Sequence, residues 1–144
     1  MNINIDKKSD FSIHNLPFGI FSTQNGERRI GVAIGDLVFD LTTAVQLNII
    51  KDIPLGVCKT GVLNEFISLG KVKTNRVRKQ IATLLSEEQS VLNDHSELLV
   101  RRSTVFMHLP VRVGDYTDFY SSIEHATNVG IMFRDPSKAL LPNW

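Results

Sequence analysis

Between residues 11 and 41 the chain alternates short apolar runs with glycine, proline and asparagine, a spacing that predicts strands of about five residues. Phe18-Gly-Ile-Phe21 is one such run, and residues 29–34 and 37–41 are two more, flanking Gly35-Asp36. A two-residue link of this kind predicts a tight hairpin. Asn25-Gly26 predicts an earlier turn of the same meander, with Gly26 at positive φ. A small barrel or sheet is the expected outcome.

The period changes after residue 41. Leu63, Phe66 and Ile67 lie three and four residues apart, which predicts a short helix with Thr60 as N-cap and Gly70 as stop. Residues 73–85 place Val77, Ile81, Leu84 and Leu85 on one stripe and Lys73, Arg76, Lys79 and Gln80 largely off it, predicting a second helix. Ser86 with Gln89 reads as a capping box for a third, carrying Val91, Leu92, His95, Leu98 and Leu99. Pro110 disfavours helix at the residue before it, and a domain boundary is expected there, dividing 1–110 from 111–144.

The chain has 144 residues, 42% apolar and 22% charged, enough for one real core and against wholesale disorder. Sixteen basic and 15 acidic residues give a net charge of +1, so no broad positive field exists to hold nucleic acid or an anionic membrane. Basic residues at 71–79 match an exposed helix face without interleaved aromatics. The single cysteine, Cys58, excludes an intrachain disulfide or a multi-thiolate zinc site, and it is expected to be structural or merely exposed. The polar start, with Lys7 and Lys8, contains no signal-peptide core, and no uncharged apolar run reaches the roughly 18 residues of a membrane span. A soluble, cytoplasmic protein with a small-molecule or protein partner is expected.

Candidate chemistry concentrates in residues 114–134. Asp115 and Asp118, three apart, would share one face of a helical turn and offer oxygen ligands to calcium or magnesium; the plainer reading is a helix cap plus a solvated acid. His125, seven residues beyond Asp118, is the best placed of the four histidines to act as a general base near neutral pH. His14 and His108 rank below it, and His95 falls on an apolar helical stripe and reads as structural. Arg134 suits a two-point grip on a substrate carboxylate or, equally, a pairing with Asp135 or Glu124. Tyr116 or Tyr120 could donate a phenolic proton to an anion. A zinc hydrolase built from His108, His125 and an aspartate lacks an H-x-x-x-H pair to support it.

These residues also carry a likeness. Phe11-Ser-Ile-His-Asn-Leu-Pro-Phe-Gly-Ile-Phe-Ser22 and Arg29-Ile-Gly-Val-Ala-Ile-Gly-Asp36 resemble the amino-terminal domain of the fumarylacetoacetase family. Met107-His-Leu-Pro110, Gly114-Asp-Tyr-Thr-Asp-Phe-Tyr-Ser-Ser122 and His125-Ala-Thr-Asn-Val-Gly-Ile-Met-Phe-Arg134 are similar to that family's active-site signature. The resemblance implies an α+β chain, with an SH3-like barrel and helices over 1–110 followed by the first segment of a β-rich catalytic domain over 111–144. It implies a homodimeric hydrolase that splits the diketo acid 4-fumarylacetoacetate into fumarate and acetoacetate, the last step of tyrosine and phenylalanine breakdown.

On that likeness Asp118 ligates a divalent cation, calcium or magnesium, Tyr120 and Arg134 bind substrate, and His125 is the general base. Relatives continue well past residue 144, and the remaining metal carboxylates of the family come from later sequence. The chain by itself is therefore expected to be catalytically incomplete. The contrasting expectation is a non-catalytic fragment or interaction module built on the SH3-like part.

Overall fold

The computed structural model describes residues 9–87 and 89–144, so the polar start with Lys7 and Lys8 lies outside the described residues. Two compact units divide the chain, the first ending at Arg112 and the second running Val113–Trp144.

Among the described residues, the first unit is built on five strands: β1 (Phe18–Ser22), β2 (Arg29–Ile34), β3 (Leu37–Asp40), β4 (Leu99–Arg101) and β5 (Phe106–His108). All pairings are antiparallel, in the order β4-β3-β2-β1-β5. No pairing joins β4 to β5 among the described residues, so the sheet is open. The β2–β3 link is the expected two-residue hairpin, pairing Ile34 with Leu37 across Gly35 at φ 54°. At the earlier turn, however, Asn25 (φ 60°) takes the left-handed conformation in place of Gly26. Asparagine tolerates that region through local hydrogen bonding, and Gly26 completes the turn by donating its N–H to the Thr23 carbonyl at 3.0 Å.

Strand alternation sends Ile20, Ile30, Val32, Ile34 and Phe39 to one face, all fully buried. The described residues form five α-helices: α1 (Leu41–Gln46), α2 (Leu55–Cys58), α3 (Asn64–Ser68), α4 (Lys71–Ser86) and, in the second unit, α5 (Ile123–Ile131). From α1 to α4, Leu41, Ala44, Cys58, Phe66, Val77 and Ile81 join the core against that sheet face. On α4 the predicted stripe holds: Val77 and Ile81 are buried, Leu84 and Leu85 half-buried, and Lys73, Arg76 and Lys79 exposed. None of the helices of the described residues is long and apolar enough to cross a membrane.

Strand β3 gives way to α1 at Asp40, which is fully buried. One carboxylate oxygen accepts from the Thr43 backbone N–H at 3.0 Å and so caps the helix. The other accepts from the Thr43 hydroxyl at 2.7 Å and from Arg29 Nη1 at 2.6 Å. Arg29 in turn lies 4.9 Å over the Phe21 ring. Two residues on, Thr42 Oγ1 accepts from the Ile30 N–H at 2.9 Å and donates to the Cys58 carbonyl at 3.2 Å, tying β2 to α2. Leu41 therefore opens a helix instead of ending β3, because Asp40 is a stronger helix-start signal than the apolar run is a strand signal.

Two other expectations are corrected. Thr60 does not cap α3; its hydroxyl donates to the carbonyls of Val57 and Val62, and the N-cap position falls on Leu63 without a side-chain cap. Gly70, at φ 82°, does separate α3 from α4. The predicted third helix over 86–99 is absent. Ser86 is the last residue of α4, and two single 3-10 turns follow, Val91–Asn93 and Ser96–Leu98, before β4. Ser90 supplies the cap, accepting from the Leu92 N–H. Leu92 and Leu98 still reach the core, while His95 leaves helical geometry at φ −127° and bonds Glu97 at 2.8 Å.

Residues 14–16 and Arg112 are tied to the helices of the first unit. Arg78 of α4 donates to three successive carbonyls, of His14 (2.6 Å), Asn15 (2.8 Å) and Leu16 (3.1 Å), where Leu16 is buried at φ 39°. The Asn64 amide exchanges two hydrogen bonds with the backbone of Arg112, at 2.9 and 2.8 Å.

Removing the Asp40 carboxylate leaves Arg29 and the first turn of α1 without their acceptor. Asp40→Ala is expected to lower the unfolding free energy by about 3 kcal/mol in urea titrations, against about 1 for Thr43→Val. A loss for Asp40→Ala no larger than that of Thr43→Val would show the pair to be incidental. Cys58, fully buried, has its thiol pushed from 9.0 to about 11, first by burial and then by the Asp40 charge. Below pH 9 the thiol is protonated folded or unfolded; between 9 and 11 only the unfolded chain ionises, so stability falls across that window by roughly 3 kcal/mol. Cys58→Ala should show a shallower fall over the same window, and parallel curves for the two proteins would refute the assignment.

Candidate active site

Residues 113–122 of the second unit run without regular secondary structure. Asp115 and Asp118 therefore do not share the face of a helical turn; both are exposed along an irregular stretch. The helix begins only at Ile123, where Ser122 caps it by accepting from the His125 N–H at 3.2 Å. The same hydroxyl donates to Glu124 at 2.8 Å. The backbone N–H of Glu124 itself and then the Ser122 hydroxyl hold the Glu124 carboxyl below the usual carboxylate range, a negative charge suited to the first turn of a helix.

His125 thus stands in the first turn of α5, exposed. Its imidazole meets the Tyr120 ring edge to face, with centroids 4.8 Å apart and planes at 87°. Tyr120 in turn lines a cavity of about 320 Å³ together with Val129, Arg134, Leu140 and Trp144. Tyr120 thus touches His125 and shares the cavity with Arg134, while His125 itself is not among the lining residues. Asp118 is not among the residues lining that cavity, and Tyr116, at 84% exposure, is not either.

Arg134 pairs with neither Asp135 nor Glu124. Its Nη1 donates to the Ala139 carbonyl at 3.2 Å, whereas Asp135 accepts from the Ser137 hydroxyl and N–H. Those Ser137 bonds, hydroxyl first, hold the Asp135 carboxyl below its usual range. The cavity walls from Val129, Ala139 and Trp144 carry no spacing signal in the sequence, since they meet only when the 3-10 turn Pro136–Lys138 folds the chain back along α5. That path is also what buries Ala126, Gly130 and Ala139.

Among the described residues no group of three His, Cys, Asp or Glu side chains gathers to hold a metal ion. His108, the other member of the zinc alternative, is engaged in the first unit, its Nε2 2.8 Å from Ser22 Oγ.

Comparison with known proteins gives these features a context. The chain is 48% identical over 151 aligned positions to fumarylacetoacetase of Dictyostelium discoideum, and 46% identical to those of Caenorhabditis elegans and Homo sapiens over 153 and 155 positions. Each comparison covers 99% of this chain but only 35–36% of the relative, so the chain spans about a third of the length of the curated relatives it matches. The fumarylacetoacetase N-terminal family matches residues 14–110, nearly all of the sheet-and-helix unit, and the chain belongs to that family.

Proposed function

We propose that the chain forms the amino-terminal part of a hydrolase that cleaves 4-fumarylacetoacetate to fumarate and acetoacetate. The observation that carries this reading is Tyr120, which shares one cavity of the second unit with Arg134 and meets the His125 ring, within a chain whose relatives are fumarylacetoacetases.

His125 takes a proton from water on one imidazole nitrogen as the oxygen adds to the substrate carbonyl carbon. Collapse of the tetrahedral adduct breaks the carbon–carbon bond, and the electron pair leaves with the acetoacetate fragment as an enolate, which is then protonated. The Tyr120 hydroxyl donates to an oxygen bearing negative charge. Arg134 keeps guanidinium N–H groups beyond the one given to Ala139, enough to hold a carboxylate. Asp118 is proposed as one ligand of a divalent cation, calcium or magnesium. Calcium takes six to eight oxygens, so the residues gathered here do not form such a site alone.

An SH3-like barrel belongs to the same proposal. Its support is the strand order, a β1–β3 meander with β4 beside β3, β5 beside β1 and a 3-10 turn, Arg102–Thr104, between β4 and β5. A homodimer in the cytoplasm without nucleic-acid or membrane partners completes it, the last part supported by a net charge of +1. The self-contained core of the first unit favours the second reading, an interaction module without catalysis.

A chimera joining this chain to the remaining two-thirds of the Dictyostelium relative separates the two readings. It should hydrolyse fumarylacetoacetate; a folded chimera without activity would leave the module. In the active chimera, His125→Ala should lower kcat by roughly a hundredfold to ten-thousandfold with metal affinity retained, whereas Arg134→Ala should act mainly by raising KM. Near-normal turnover by His125→Ala would remove it from the role of base. By calorimetry the 144-residue chain should bind calcium weakly and the chimera tightly, with Asp118→Ala abolishing the difference. Tight binding by the chain alone would place the ligands elsewhere.

A further inference from the structure

Gly130 lies inside α5 with a backbone that any residue adopts, since its φ is not positive. Glycine there weakens the helix relative to alanine, and no turn or strained conformation calls for it. Space does. A Cβ at this position would stand 2.7 Å from the carbonyl carbon of Ala139 and 3.1 Å from its Cα, and closer still to the carbonyl oxygen. These are backbone atoms, which cannot swing aside as a side chain can.

The carbonyl that would meet this Cβ is the one that receives Arg134. One turn beyond Gly130, the Arg134 backbone N–H donates to the Gly130 carbonyl at 2.9 Å while its Nη1 donates to Ala139 O at 3.2 Å. Ala139 is 5% exposed, and the 3-10 turn that delivers it is closed by Asp135 and Ser137. Asp135 accepts from Ser137 and Glu124 from Ser122, and neither carboxylate pairs with the guanidinium.

We propose that Gly130 is a positioning residue for Arg134: the missing side chain lets the Ala139 carbonyl lie against α5, where it anchors one corner of the guanidinium and orients the remaining N–H groups on the cavity wall for a planar carboxylate. The inference rests on the reading of Arg134 as a carboxylate clamp.

The test uses the 144-residue chain with ¹⁵N-labelled arginine and fumarate as the probe. In the unaltered chain the Arg134 guanidinium should rotate slowly, with resolved Nη signals, unlike the exposed Arg76. Gly130→Ala should restore fast rotation and weaken fumarate binding about tenfold while the amide spectrum of the first unit is unchanged. Should Gly130→Ala unfold α5, Pro136→Gly, which loosens the turn carrying Ala139 and leaves the helix sequence intact, should produce the same release. Free rotation of Arg134 in the unaltered chain overturns the proposal, as does a Gly130→Ala chain that keeps both restrained rotation and fumarate affinity. Restrained rotation that Gly130→Ala releases, in a chain that does not bind fumarate, upholds the positioning and overturns the carboxylate reading of Arg134 instead.

Discussion

A buried carboxylate must find hydrogen-bond donors or forfeit its charge, and Asp40 finds three. The consequence is geometric as much as energetic. The donors come from β2 and from the first turn of α1, so the carboxylate fixes where the third strand ends and at what angle the chain departs. Thr42 continues the β2 ladder with a side-chain oxygen at the point where the backbone has turned away, and passes the connection to Cys58. The polar groups at this junction are satisfied in pairs, which is why the helical layer can lie directly on an apolar sheet face.

The second unit is organised differently. With 32 residues between Val113 and Trp144 it has little interior, and its three buried residues, Ala126, Gly130 and Ala139, are all small. Its order comes from local devices instead: the Ser122 cap, the Asp135–Ser137 turn and the Arg134–Ala139 bond. Larger apolar side chains such as Met132 and Phe133 remain about three-quarters exposed. The polar groups of chemical interest are consequently presented on a scaffold held by hydrogen bonds more than by packing.

How much of this was legible in the sequence follows from the range of the interactions involved. The strands β1 to β3 and helix α4 are set by neighbours in the chain, through alternation, a hairpin pair and a 3.6-residue stripe, and they were readable. The stretch over 86–99 was not, because its apolar spacing suits a helix equally well and the deciding facts are distant. Leu99–Arg101 is claimed by the edge of β3, and Ser90 offers a cap closer than Ser86. The short helices α1 and α2 were hidden for a related reason: four to six residues carry too little periodicity to register. In the second unit the individual side chains Tyr120, His125 and Arg134 stood out by type, and the motif resemblance linked them. The cavity that Tyr120 shares with Arg134 is walled by Ala139 returning to Gly130, a backbone contact that leaves no mark in composition or spacing.

The order β4-β3-β2-β1-β5 places both outer strands late in the chain and the inner three early. During synthesis from the amino terminus, the meander is complete while neither of its flanking strands has yet emerged. For that interval β1 and β3 each offer an unpaired row of backbone N–H and C=O groups bordering apolar side chains, the feature that templates pairing with other chains. The span from residue 99 to 108 thus acts as a closing clasp, and a chain that ends before it would be left with two open borders on a sheet evolved to have them covered.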